Sequence, residues 1–241
     1  MVTKSLLNQI KNLKNKKYRN ETRLFVAEGK KLVYDLYKSK IKCITILTTH
    51  NTKLFPFQKV EKSQMKKISY LKTPSSYLGV FKIPEFTFDI SNINNSIIAL
   101  DGITDPGNLG TIIRTCDWFG IKDIICSKNS VDCFNSKVVQ SSMGSIANVK
   151  CHYIDLAKFL KTTKFSKCAV SLEGESLYKS SLTDNSIFIF GSESKGISLE
   201  VKEEIMKSIT IPKSKTNQSI DSLNLASSVA VVLSEKLRQS R

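Results

Sequence analysis

The sequence predicts an α/β protein in two parts: a domain with a mainly parallel sheet over residues 91–241, preceded by a small α/β domain over residues 1–90. Three observations predict this. Beyond residue 96, short apolar runs such as Ile97-Ile98-Ala99-Leu100 and Ile187-Phe188-Ile189-Phe190 alternate with amphipathic stretches at helical spacing, the pattern of repeated strand–helix units. From Glu85 to Asn95 helical periodicity is lost, and the stretch ends in Ser91-Asn92-Ile93-Asn94-Asn95, which marks a boundary. Charge divides at the same place: residues 1–90 carry a net +13 and residues 91–241 only +3 of the total of +16.

A composition rich in lysine would raise the charge of both parts alike, so the asymmetry points to a polyanion that meets the N-terminal part. Nucleic acid and an anionic membrane surface are the two classes that fit. At 241 residues and 41% hydrophobic side chains, the chain is long enough to bury a sizeable core. Six cysteines without any C-x-x-C pair read as reduced core residues, and the two histidines, His50 and His152, show no ligand spacing, so no metal is expected. No run approaches the length of a membrane span and no signal-peptide core follows Lys4, which places the protein in the cytoplasm.

In chain order, residues 4–17 set Leu6, Leu7, Ile10 and Leu13 on one face and lysines around the rest, a basic amphipathic helix. Residues 15–23 mix positive charge with Tyr18. Lys16, Lys17, Arg19 and Arg23, with Lys30 just beyond, are the candidate RNA phosphate contacts. Leu24–Ala27 reads as a strand, Glu28-Gly29 as a turn, Lys30–Lys38 as a helix, Cys43–Thr48 as a strand, Val60–Ile68 as a short helix and Tyr77–Phe81 as a strand. In the second part the expected strands are Ile97–Leu100, Asp123–Cys126, Val149–Tyr153, Cys168–Leu172, Ile187–Phe190 and Ile209–Ile211. The expected helices are a short one capped by Asn108, then Ser136–Met143, Asp155–Thr163, Leu199–Met206 and Ser222–Arg238.

Ligands of open parallel sheets bind beyond the carboxyl ends of the strands. Three loops there carry polar residues. The first, Asp105-Pro106-Gly107-Asn108, leads into a helix with Leu109, Ile112, Ile113 and Cys116 on one face and Arg114 nearly opposite. The second, Gly191-Ser192-Glu193-Ser194-Lys195-Gly196, offers two glycines and a carboxylate; Ile197 and Ser198 after Gly196 exclude a Walker phosphate loop. The third follows Ile211-Pro212, runs through the polar stretch Lys213–Asp221 and ends in Ser222-Leu223-Asn224, where Asp221 or Ser222 is expected to cap the last helix. Taken singly, Asn108 and Ser222 are ordinary caps and Arg114 an ordinary surface arginine.

Together the three loops resemble the signature motifs of the SpoU (TrmH) branch of the SPOUT methyltransferase superfamily. Asn108-Leu109-Gly110-Thr111-Ile112-Ile113-Arg114 carries the first, Ile189-Phe190-Gly191-Ser192-Glu193 through Gly196 the second, and Ile211-Pro212 with Ser222-Leu223-Asn224-Leu225-Ala226 the third. Asn135–Gly144 resembles the segment these enzymes place between the first two. Residues 1–90, with Phe25-Val26-Ala27-Glu28-Gly29, more loosely resemble the small substrate-binding domain found ahead of the catalytic one.

The resemblance implies 2'-O-methylation of a ribose in ribosomal or transfer RNA, with S-adenosylmethionine as donor, by a homodimer whose catalytic domain threads its C-terminal segment into a trefoil knot. It assigns Gly191, Ile211 and Leu223 to the cofactor. It gives Arg114 the ribose hydroxyl, as proton acceptor or as the group that orients phosphate and ribose, and gives Asn108, Glu193, Ser222 and Asn224 the task of holding Arg114 and the loops. Two departures are visible: a long connection over Lys213–Asp221, and Lys195 where the family commonly has glycine. Two non-catalytic readings compete, an RNA-binding module of the same fold and a ribosome-assembly factor using only the basic part. The presence of all five polar motif residues argues against both.

Overall fold

A computed structural model describes residues 2–93, 96–214 and 221–240. The chain divides into two compact units, residues 1–85 with 132–147, and residues 86–131 with 148–241.

The first unit is built on a four-stranded sheet in the order β1-β4-β2-β3, with β1 Leu24–Glu28, β2 Cys43–Thr48, β3 Gln58–Lys59 and β4 Tyr77–Lys82. Its helices are α1 Lys4–Asn12, α2 Lys16–Thr22, α3 Lys30–Lys38 and α4 Lys62–Ile68. The single basic helix expected over 4–17 is two helices, because the Asn15 side chain accepts from the backbone N–H of Lys17 at 2.8 Å and starts a new one. Ile10, Leu13, Val26, Leu47, Met65 and Leu78 form one core under α1 and α4. Glu28 is the buried last residue of β1 rather than part of an exposed turn.

The second unit holds a six-stranded sheet in the order β10-β8-β9-β5-β6-β7, every adjacent pair parallel. Its strands are β5 Ile97–Asp101, β6 Asp123–Ser127, β7 Lys150–Ile154, β8 Ser166–Ser176, β9 Ser186–Gly191 and β10 Lys207–Thr210. The helices are α5 Pro106–Trp118, α7 Leu156–Thr162, α8 Leu199–Lys202 and α9 Leu225–Gln239, while α6, Ser136–Ser141, belongs to the first unit. β5 and β9 are buried at nearly every position, as central parallel strands must be. From β5 the chain runs outward through β6 and β7, then returns to β8, β9 and β10 on the other side. The order therefore reverses between β5 and β9, where doubly wound sheets take their ligands.

Sequence placed residues 132–147 in the second part, and the structure places them in the first unit. Two contacts account for this, an ion pair and a ring contact. Arg19, expected to face RNA, is buried: its Nε and Nη2 donate to Asp132 Oδ2 at 3.1 and 2.6 Å, and its Nη1 donates to the carbonyls of Leu13 and Lys14. Phe134 packs tilted against Phe25 of β1, with ring centroids 4.9 Å apart. The connection from β10 to α9, where the expected threading and the long polar loop would fall, runs through residues 215–220 and so lies outside the described residues.

Candidate active site

β5 pairs with β9 in register, Asp101 against Gly191, so the loops that leave their carboxyl ends start side by side. After β5, Asp105 rather than Asn108 is the helix cap: its Oδ1 accepts from Asn108 N at 2.7 Å, and Pro106 occupies the first helical position. Asn108 therefore sits in the first turn of α5 with its side-chain amide uncommitted to capping. Leu109, Ile112, Ile113 and Cys116 are buried as the helical spacing requires, and Arg114 is exposed on the opposite side.

After β9 the chain turns back on itself at once. Ser192 and Gly196 exchange backbone hydrogen bonds of 3.0 and 2.8 Å, and Lys195 N donates to Ser192 Oγ. A Cβ on Gly191 would lie 2.1 Å from the carbonyl carbon of Gly196 and 2.2 Å from Ile197 N, so only glycine fits beneath this loop. Glu193 stands at its tip, exposed.

The third segment reaches the same place through α9. Asn224, not Asp221 or Ser222, caps that helix: its Oδ1 accepts from Ala226 N at 3.0 Å and Ser227 N at 3.2 Å. Its Nδ2 donates to Asn108 Oδ1 at 3.0 Å, and Asn108 Nδ2 in turn donates to Glu193 Oε1. One residue from each of three separate loops is thereby joined in a single chain of hydrogen bonds. Arg114 is not part of that chain, and no described residue bonds its guanidinium.

Beside this junction lies a cavity of about 1030 Å³. Gly191, Glu193, Ile211, Ser222 and Leu223 line it, so the three positions expected to hold a cofactor share one wall with two of the expected catalytic residues. Arg114 and Asn108 are not in its lining. Sequence reading missed a further part of the lining, Val170–Gly174, where β8 parts from β10. The Glu173-Gly174 pair after an apolar strand was the one signal of that break in the ladder.

In the first unit, Lys16, Lys17 and Lys30 are exposed at the starts of α2 and α3. Arg23 is half-buried in the left-handed region, with φ 56°, and Nη2 donates to the Pro84 carbonyl at 3.4 Å. Arg19 is not among the exposed cations: four hydrogen bonds inside the unit leave it no face toward a nucleic acid.

All six cysteines are free thiols. Burial pushes the Cys116 thiol far up and Cys168 to about 11, the latter against the pull of Lys207, which makes both poor nucleophiles. Among the described residues no cluster of His, Cys, Asp and Glu is arranged to hold a metal, and no helix is long and apolar enough to cross a membrane.

A parallel sheet with an open cleft lined from β8, β9 and β10, a glycine pressed under the loop that walls it and polar side chains converging from three loops define an α/β protein with a candidate small-molecule site beside a polar junction. Comparison with known proteins makes this specific. Residues 95–234 match the SpoU rRNA methylase family and residues 4–79 the MRM3-like substrate-binding domain. The chain belongs to the SpoU rRNA methylase family.

Among solved structures it is similar to a TrmH-family protein of Porphyromonas gingivalis, at 32% identity over 99% of both chains with a TM-score of 0.87. It is also similar to the AdoMet-bound rRNA methyltransferase of Sinorhizobium meliloti, at 27% identity over 99% of this chain and 96% of that one, with a TM-score of 0.85. In sequence it is 24% identical, over 92% of both chains, to the 23S rRNA (guanosine(2553)-2'-O)-methyltransferase RlmP of Bacillus subtilis.

Proposed function

We propose that the protein methylates the 2'-hydroxyl of a ribose in ribosomal RNA, taking the methyl group from S-adenosylmethionine. The observation that carries this reading is the hydrogen-bonded junction Asn224–Asn108–Glu193 beside a cavity lined by Gly191, Ile211 and Leu223. The cavity suits the cofactor on its own terms. Its volume is that of a generous small-molecule site, and Gly191, Ile211 and Leu223 line it together. When bound, S-adenosylmethionine supplies a methyl group made electrophilic by its sulfonium.

The residues of the chain do the rest by position. Gly191, Ile211 and Leu223 hold the cofactor, and Asn108, Glu193, Ser222 and Asn224 fix the loops around it. Arg114 takes the target ribose. A guanidinium has five donors and no acceptor, so Arg114 serves by orienting the hydroxyl and its neighbouring phosphate, and the hydroxyl proton leaves to water at the open mouth. That Arg114 stands outside the cavity lining, exposed and unbonded, supports an RNA-facing role.

Residues 1–90 serve as the RNA-binding domain, supported by their net +13 and by the exposed Lys16, Lys17 and Lys30. The working form is a homodimer in the cytoplasm. The homodimer is what the family resemblance implies, and six free thiols support the cytoplasmic location.

Mapping ribose methylation across ribosomal and transfer RNA in cells lacking the protein tests the reading. One missing methyl group, restored by the purified protein with S-adenosylmethionine, is the expected result. An unchanged map with no binding of S-adenosylmethionine by calorimetry favours the RNA-binding module instead.

A further inference from the structure

Resting on the proposed function, we infer that Ser208 and Thr210 are positioning residues for S-adenosylmethionine: their hydroxyls hold residues 171–174 in place as a wall of the cavity. In the β8–β10 ladder Ser208 pairs with Ala169, but the next residue, Ile209, pairs with Glu175. On its other side β8 follows β9 only as far as Val170, opposite Phe190. Residues 171–174 thus have no ladder partner on either side, although all four line the cavity.

Side chains do what the ladder does not. Thr210 Oγ1 donates to the Leu172 carbonyl at 3.0 Å, and Ser208 Oγ donates to the Glu173 carbonyl at 2.7 Å. Ser171 Oγ, 2.7 Å from Ser208 Oγ, donates to that second carbonyl as well. Beyond the gap Leu177 N donates to the Thr210 carbonyl at 2.8 Å, so the last residue of β10 grips the chain after β8 by its backbone and β8 itself by its side chain. A Cβ on Gly174, at φ +151°, would lie 2.6 Å from the Ser208 carbonyl oxygen, so it is glycine that lets the stretch come within reach of the two hydroxyls.

The brace and the expected cofactor residues adjoin. Ile211 follows Thr210 directly and lines the same cavity with Gly191 and Leu223. Leu172, on the braced stretch, is 71% exposed, so burial does not fix it and the hydroxyl-to-carbonyl bonds have to. Each hydroxyl has one proton, already donated to a carbonyl, so neither is left to donate to a ligand and both act through the wall.

A loose wall has to be ordered when a ligand arrives, which lowers affinity; a wall ordered beforehand does not. The same bonds do little for the fold. They lie where water reaches, and a carbonyl released there turns to solvent rather than being left unsatisfied.

Calorimetry of the full-length protein with S-adenosylmethionine tests this. Thr210→Val keeps the shape and loses the hydroxyl; it should weaken binding by about three- to tenfold, and Ser208→Ala by a similar factor, the ordinary yield of one hydrogen bond. The double variant should lose about 10- to 100-fold, with a melting temperature within about 2 °C of the wild type. Thr210→Ser restores the hydroxyl and should bind within about twofold of the wild type. In methyl transfer to RNA from cells that lack the protein, the double variant should show a raised KM for the donor and, at saturating donor, a kcat within about twofold of the wild type. Wild-type affinity in the double variant overturns the inference, and so does equal weakening in Thr210→Ser and Thr210→Val, which would take the effect away from the hydroxyl. A melting temperature lowered by more than about 5 °C in the double variant also overturns it, by making the brace part of the fold's stability. If the wild-type protein binds no S-adenosylmethionine, the proposed function falls and this inference with it, a failure distinct from the other three.

Discussion

The Asn224 side chain spans two tasks: its oxygen caps α9 through the N–H groups of Ala226 and Ser227, and its nitrogen donates to Asn108 Oδ1 at 3.0 Å. An amide carries its acceptor and its donors on separate atoms, so it can do both at once. Asn224→Asp keeps the cap and loses the donor, and sets a carboxylate against the Asn108 oxygen. Its melting temperature should stay near that of the wild type while methyl transfer falls at least about tenfold. Asn224→Ala loses the cap as well, which costs about 1 kcal/mol and about 2–4 °C. Equal activity in wild type and Asn224→Asp would show that the junction is not needed for turnover.

Gly191→Ala tests the wall of the cavity. The added methyl group meets the backbone of Gly196 and Ile197, not a mobile side chain, so the loop carrying Glu193 must move. Binding of S-adenosylmethionine, followed by calorimetry, should weaken by about tenfold or more, a cost of about 1–3 kcal/mol. Retained affinity would mean that the loop relaxes freely and that Gly191 does not shape the site.

Most of this arrangement could be read from the chain because periodicity and turn chemistry are local. The β5 and β9 runs, the one-sided α5 and the apolar face of α9 all follow from spacing. Capping was harder, since several eligible residues stand in a row: Asp105 outcompetes Asn108, and Asn224 outcompetes Ser222, and each choice decides which side chain is left over for the site. What sequence could not show was pairing at long range. Nothing local tells that Arg19 will find Asp132, or that five residues of β8 will go unpaired with β10.

That pairing yields its own prediction. Arg19→Ala removes four hydrogen bonds and leaves Asp132, 14% exposed at its side chain, without its partner. Breaking a buried pair from one side costs about 3–5 kcal/mol, so the melting temperature should drop by on the order of 10 °C. Lys16→Ala with Lys17→Ala should leave the melting temperature alone and lessen the slope of log affinity for RNA against log salt by roughly one per lysine. Truncation to residues 91–241 is a poor substitute for these variants, because it strips residues 132–147 of the unit they pack in. An Arg19→Ala protein as stable as the wild type would return Arg19 to the RNA surface.

Glu28 gives the fold a pH signature. Burial holds its carboxyl above the ordinary carboxylate value, against hydrogen bonds from Ser69 and the backbone of Tyr70 and Leu71 that pull it down. The folded chain therefore keeps this proton to higher pH than the unfolded chain does, and stability falls as pH climbs from the ordinary value through the raised one. Glu28→Gln has no proton to lose. As pH climbs from the ordinary carboxylate value through the raised one, its unfolding free energy should gain on that of the wild type and then run parallel; curves parallel throughout would show that the group is not perturbed.

Under the proposed function Arg114 takes the target ribose, and its surroundings allow a clean separation of roles. It is exposed, bonded to no described residue and absent from the cavity lining, so Arg114→Ala should alter stability by no more than about 0.5 kcal/mol and leave the affinity for S-adenosylmethionine unchanged. Methyl transfer to RNA should fall by about 10²–10³, the usual consequence of removing one positioned donor from a reacting oxygen. Arg114→Lys keeps the charge and gives up the planar fork, so it should recover RNA binding but little of the turnover. Full activity in the alanine variant would remove Arg114 from the reaction. Full activity in the lysine variant would reduce its part to that of a point charge near the phosphate.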